Sequence, residues 1–338
     1  MNLARSRDRQ VYLRSHPVLF ALLAATRRRP VVRLGRTVLV HGPDAYREVL
    51  TRVPLDRTAA GTTGGAAAEL TDGGLLFDQE GAEHRAARRD LATALGSEGV
   101  ARLRPVWQSV LRERLFPGKV VDLVPVVREL AGATAAALTG SSAEPLALAL
   151  AAFDAASAAA RDHLPGLLPH RRDPRAADRL NAMLPDSLDA MLTVAAVNTT
   201  VAALPRAAAW CARAGLWPEV SAELAAELLR LTAPSPILPR VAAADATVAG
   251  CPIRGGDRLV LVARHAAEGH RAVPADPAFA QQAVFGAGPH ACPGAQLARV
   301  QLTDFLAALA PYRPVVVRAE VDRRSALPGY ASLLVRKG

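Results

Sequence analysis

FGAGPHACPGAQLAR, residues 285–299, sets one cysteine, Cys292, on a glycine- and proline-rich loop that runs straight into an amphipathic segment. Past the cysteine, Leu297, Val300, Leu302, Phe305, Leu306 and Leu309 recur at mostly three- and four-residue steps, the spacing of a helix packed on one face. Pro293 suits the first helical position, where its missing N–H would have no partner anyway. A cysteine there meets the helix dipole and unsatisfied N–H groups, and both favour a thiolate over a thiol. Gly286, Gly288 and Gly294 let the backbone turn sharply and come close to something flat or bulky. On residue chemistry alone, the alternative is a structural cysteine buried in a turn.

Upstream, His84 and Arg88 stand four residues apart in LLFDQEGAEHRAARRDLATAL (75–95). They share one helical face and can grip one anion together, or they belong to a solvated basic face. Arg89 lies about 100° round the same helix, toward the surface. SLDAMLTVAAVNTTVAALPRAAAWCARAG (187–215) has the length and apolarity of a central helix, carrying Asn198, Thr199 and a kink or break at Pro205. Glu227 and Arg230 form a three-residue acid–base step in another apolar helix.

These features together resemble the cytochrome P-450 superfamily. Its haem-binding loop reads Phe, two residues, Gly, three residues, Cys, one residue, Gly, and Phe285, Gly288, Cys292 and Gly294 fill it. The resemblance implies a mainly helical, single-domain fold over 1–338 with small peripheral β-sheets, binding haem b with Cys292 as the iron's thiolate ligand. It implies that His84, Arg88, His290 and Arg240 hold the haem propionates. It implies that Glu227 and Arg230 brace the fold and that Thr199 helps deliver protons to iron-bound oxygen. Two positions depart from the family's central-helix pattern: Ala196 replaces a glycine, and Asn198 replaces an acid with an amide that cannot exchange a proton at neutral pH.

The implied activity is oxygen insertion from O2 into an organic small molecule, with electrons from a ferredoxin or flavodoxin. The alanine- and arginine-rich composition suits a bacterial enzyme of secondary metabolism, whose substrate is large or carrier-tethered. The alternatives are a peroxide-driven or non-monooxygenase haem-thiolate catalyst, and a catalytically idle haem-binding or carrier-docking module.

Composition bounds the remaining classes. At 338 residues with 51% hydrophobic and 21% charged residues, the chain is globular and long enough for a substantial core. Aromatics are 4%, so alanine, leucine and valine must build that core. The +10 charge is spread in short arginine runs without an aromatic-interleaved basic stripe, which argues against nucleic acid. Cys211, Cys251 and Cys292 are odd in number and widely spaced, which fits a reducing cytoplasm and no disulfide framework. Val18–Ala25 reads as a folded helix within 15–29, closed by Pro30, and no segment reads as membrane-spanning. VVRLGRTVLV (31–40) reads as a hairpin about Gly35, 41–50 as a helix, and 245–267 as a second hairpin followed by a buried strand. Glycine-rich 59–68 reads as a mobile loop, and 141–189 is rich in proline and arginine at its centre; the family resemblance implies that this shortened interval is a reduced roof over the pocket.

Overall fold

The computed structural model describes residues 2–62, 64–65, 75–116, 118–163 and 175–338. Thr63 and Ala66–Ala68 of the glycine-rich stretch lie outside them, as do Pro165, Gly166, Pro169, Arg171, Arg172 and Pro174 of the expected roof. The described chain is mainly helical with small sheets. It divides into two compact units: 1–16, 89–225 and 294–338 form one, and 17–88 with 226–293 form the other.

The first unit is built around the helix Ser187–Ala214. Asp186 caps its start by accepting a hydrogen bond from the Asp189 N–H, and Gly215 ends it in the left-handed conformation at φ +70°. Pro205 does not break this helix, which continues to Ala214. The lost backbone bond is offset by packing against the helices Asn2–Ser15, Leu123–Thr139, Pro145–His163 and Ala295–Leu309. Next to the proline, buried Arg206 donates from Nε and Nη2 to Asp8 at 2.9 and 2.7 Å. The helix is long and apolar enough to cross a membrane, contrary to the sequence reading, yet more than half of its apolar stretch is buried against these neighbours.

Asp304 ties the helix Ala295–Leu309 to the helix Ser97–Arg114. Its carboxylate accepts from Arg104 Nε and Nη2 at 2.8 and 2.7 Å, and from Trp107 Nε1 at 3.0 Å. A three-stranded antiparallel sheet closes this unit, with Tyr330–Arg336 between Val120–Asp122 and Val315–Val321.

The second unit holds a five-stranded sheet in the order Val31–Leu34, Thr37–Val40, Arg258–Leu261, Leu238–Ala242, Leu55–Asp56. Thr37–Val40 and Arg258–Leu261 run parallel, and the other pairs are antiparallel. Both expected hairpins form, turning at Gly35 (φ +62°) and Gly250 (φ +77°). The helix Pro43–Arg52 packs Ala45, Tyr46 and Val49 into a core with Val38, Val40, Leu259 and Leu261. The expected helix over 15–29 forms as Pro17–Thr26 in this second unit, and a separate helix, Asn2–Ser15, precedes it and ends before His16. Proline at the first position of the new helix costs no hydrogen bond there, which makes His16–Pro17 a natural boundary.

A buried histidine pair links the start of this unit to the helix Ala263–Ala266. The Thr26 hydroxyl donates to Leu22 O at 2.8 Å, so it accepts from His41 Nε2 at 3.0 Å. His41 Nδ1 then accepts from His265 Nδ1, 2.9 Å away. His41, accepting at Nδ1, is therefore neutral, and burial pushes it down to about 4 and His265 down to about 2, helped by Arg27, Arg264 and His270 nearby. An unfolded chain regains the ordinary histidine value near 6.5, so below that pH it binds protons that the native state refuses. Stability is therefore expected to fall as pH drops from 6.5 toward 4, by at most about 1.4 kcal/mol per pH unit from His265. Urea midpoints for wild type and His265→Gln across that range test this: the variant's decline is the shallower, and equal slopes refute it.

Candidate functional site

The cysteine loop is closed by its own backbone. The Cys292 N–H donates to Phe285 O at 2.8 Å, and the Ala291 N–H donates to Gly288 O at 3.1 Å. Such a tight return needs left-handed backbone, supplied by Gly286 at φ +78° and Gly288 at φ +75°. A side chain at Gly288 would also press its Cβ to 3.0 Å from Leu50 O. Gly294, at φ −85°, instead caps the following helix.

That helix begins at Ala295, with Ala298 N bonding to Gly294 O at 2.9 Å, so Pro293 lies in the preceding turn and not at the first helical position. The loop leaves Cys292 exposed, unlike Cys211, whose thiol burial pushes up to about 12. Phe285 and His290 are half-buried.

Beside this loop the second unit gathers basic side chains. His84, buried on the helix Gly81–Leu95, stacks on His290 with ring centroids 3.8 Å apart and planes 21° from parallel. Arg88, one turn further on, sends Nη1 to Ala291 O at 2.6 Å and so braces the loop directly. Arg89 is exposed, as its position on the helix implies. Arg240 rises from the strand Leu238–Ala242, with Nη1 on Pro239 O at 2.7 Å.

The charges oppose one another. Burial, then Arg57, His84, Arg240 and Arg88 in turn, push His290 down to about 3. Burial and Arg88 lower His84, and burial with Arg57 lowers Arg240 to about 10. A cleft of about 280 Å³ opens here, lined by Arg57, Glu80, His84, Arg85 and His290 among others.

The sequence reading missed Arg57. It follows the two-residue strand Leu55–Asp56 and belongs to no recognisable spacing, so only the chain's path brings it to the cleft.

Asn198 and Thr199 stand on the central helix of the first unit and differ in what they face. Both amide hydrogens of Asn198 are used: Nδ2 donates to Val194 O at 2.8 Å and across to Ala152 O at 3.2 Å. Thr199 gives its hydroxyl hydrogen back to Ala195 O at 2.9 Å, which leaves oxygen lone pairs able to accept. The two side chains thus do not act as one polar patch.

Comparison with known proteins separates fold from sequence. No protein-family model matches the chain, and no curated protein does. Among solved structures, P450BioI in complex with hexadec-9Z-enoic acid ligated acyl carrier protein superposes with a TM-score of 0.74. Its identity is 17%, over 97% of this chain and 100% of that one. A mutant of P450 EryK, a protein of S. erythraea, in complex with erythromycin B gives a TM-score of 0.72 at 21% identity, covering 96% and 97%. OxyB, from teicoplanin biosynthesis and in complex with the X-domain, gives 0.68 at 19%, covering 91% and 94%. The chain therefore has the cytochrome P450 fold, as its haem-loop spacing implied.

Proposed function

We propose that this protein is a haem-thiolate oxidoreductase that inserts oxygen from O2 into an organic small molecule, with residues 1–338 making one haem domain. The observation that carries the reading is the donor set of the second unit. An exposed cysteine sits on a loop closed by two backbone bonds, beside Arg57, His84, His290 and Arg240, with Glu80 the one carboxylate lining the cleft among the described residues. Mutually repelling basic groups around one cleft suit a dianion, and iron protoporphyrin combines two carboxylates with a metal that takes a thiolate.

Cys292 would hold the iron, while His84, His290 and Arg240 would hold the propionates. Arg88 acts one step back, since its contact fixes the Ala291 carbonyl next to the ligand. Haem, when bound, supplies the one-electron and O2 chemistry. Thr199 Oγ1, with its own hydrogen on Ala195, would accept from a proton-carrying water. Asn198 holds the central helix to Ala152 and moves no proton.

Two proteins of this fold are in complex with protein partners, P450BioI with a fatty-acid-ligated acyl carrier protein and OxyB with the X-domain. They support a carrier-tethered or similarly large substrate here, in bacterial secondary metabolism; a ferredoxin or flavodoxin would supply the electrons, as the family resemblance implies. The amide at Asn198, with both hydrogens committed, favours a second reading in which peroxide is the oxidant.

Measuring reductant consumed, peroxide released and product formed separates the two. Thr199→Ala is expected to lower the product-to-reductant ratio by about tenfold, less than the about 10²–10⁴ of a direct general acid because water partly replaces the hydroxyl, and to raise peroxide. An unchanged ratio, with product formed from added peroxide alone, establishes the second reading.

A further inference from the structure

Arg57 is 13% exposed in its side chain and lines the basic cleft, whereas Glu80, its partner, is 62% exposed. Their contact is Nε to Glu80 Oε1 at 3.2 Å. Among the described residues this is the guanidinium's only hydrogen bond, so Glu80 occupies the Nε position alone. A guanidinium carries five N–H donors in a planar fork, and its Nη edge pairs with a second carboxylate in bidentate fashion. Glu80 immediately precedes the helix that carries His84, so the acid holds Arg57 beside the stacked histidines.

We propose that Arg57 is a further carboxylate-binding residue of this cleft, oriented there by Glu80, which also competes with the ligand for it. The assignment rests on the reading of the cleft as a haem-propionate site. In that role Arg57 grips a propionate with its Nη edge. Glu80 keeps the side chain in place but sets a negative charge near the dianion, so its net effect on ligand retention is unfavourable. A purely structural ion pair behaves differently, because losing either partner then loosens the site alike.

The test is transfer of haem from the loaded protein to excess apomyoglobin, followed by absorbance. Arg57→Ala should speed transfer roughly tenfold, the loss of one charge-assisted contact. Arg57→Lys should fall between, because it keeps the charge and loses the fork. Glu80→Gln should slow transfer by about threefold, since a nearby like charge on the ligand's side is removed.

The opposite signs of the Arg57 and Glu80 variants support the proposal. Faster loss in both overturns it in favour of a structural pair, and unchanged loss in Arg57→Ala overturns it outright. Each of those failures leaves the wild-type thiolate spectrum intact. A wild type that shows no thiolate-type Soret band when reduced under CO overturns the haem reading and this assignment together.

Discussion

Cys292→Ala is expected to remove the red-shifted Soret band of the reduced, CO-bound protein completely, the largest spectroscopic change any single substitution should cause. The geometry singles this cysteine out among the three. Cys211 is buried with its thiol pushed up to about 12, so it remains protonated and enclosed. Cys251 lies half-exposed on a short hairpin strand. Only Cys292 is fully presented, by a loop whose two closing bonds leave the side chain outside. A thiolate is the stronger donor to iron and is what moves the band. Cys211→Ala and Cys251→Ala should therefore leave the spectrum as it is. A Cys292→Ala protein that keeps the band refutes the ligand assignment and sends the search to the other two.

Arg230→Leu should destabilise the second unit by about 3–5 kcal/mol, chiefly through buried carbonyls left short of a donor at about 1–3 kcal/mol each. Against a total of about 5–15 kcal/mol that is enough to unfold a marginal protein. Arg230 is fully buried on the helix Ala222–Thr232 and makes a bidentate pair with Glu227, Nε to Oε2 at 2.7 Å and Nη2 to Oε1 at 2.5 Å. It also donates to four backbone carbonyls: Glu268 at 2.7 Å, Arg271 at 3.0 Å, Ala267 at 3.2 Å and Ala272 at 3.5 Å. Those carbonyls belong to an irregular turn in which Glu268 itself holds φ +49°, so no regular ladder can take over their bonding. Leucine removes a donor from each, although Glu268 O keeps the Arg271 N–H at 2.8 Å, and leaves Glu227 without its cation. Glu227→Gln should cost much less, because that carboxylate is 35% exposed and the arginine keeps its carbonyls. Urea denaturation of both variants checks the order, and equal losses contradict it.

Much of this was written locally. The haem loop declares itself through glycines that a positive φ demands at 286 and 288, a requirement each residue meets alone. The hairpins at Gly35 and Gly250 follow from β-branched runs broken at one permissive residue. Glu227 and Arg230 are one turn apart on one helix, so their pairing needed nothing beyond helical geometry. His84 and Arg88 likewise share a face by spacing, but spacing is silent on what they meet: one stacks on His290 and the other holds Ala291 O.

Where local sequence is silent, a distant element decided. Pro205 sits inside an unbroken helix because four other helices pack on it and a buried Arg206–Asp8 pair secures it from the far end of the chain. Asn198 and Thr199 are neighbours in sequence but bond to different partners. Adjacent helical residues diverge by about 100°, and the neighbouring helix supplies Ala152 O to claim the amide. Arg57 carries no motif, and becomes part of the site only because the sheet's edge delivers it beside Glu80 and His290. Backbone permissiveness and periodicity are properties of a few consecutive residues, so sequence by itself determined them. The partner of each polar group is set by long-range packing of chain segments, and only the tertiary structure decided it.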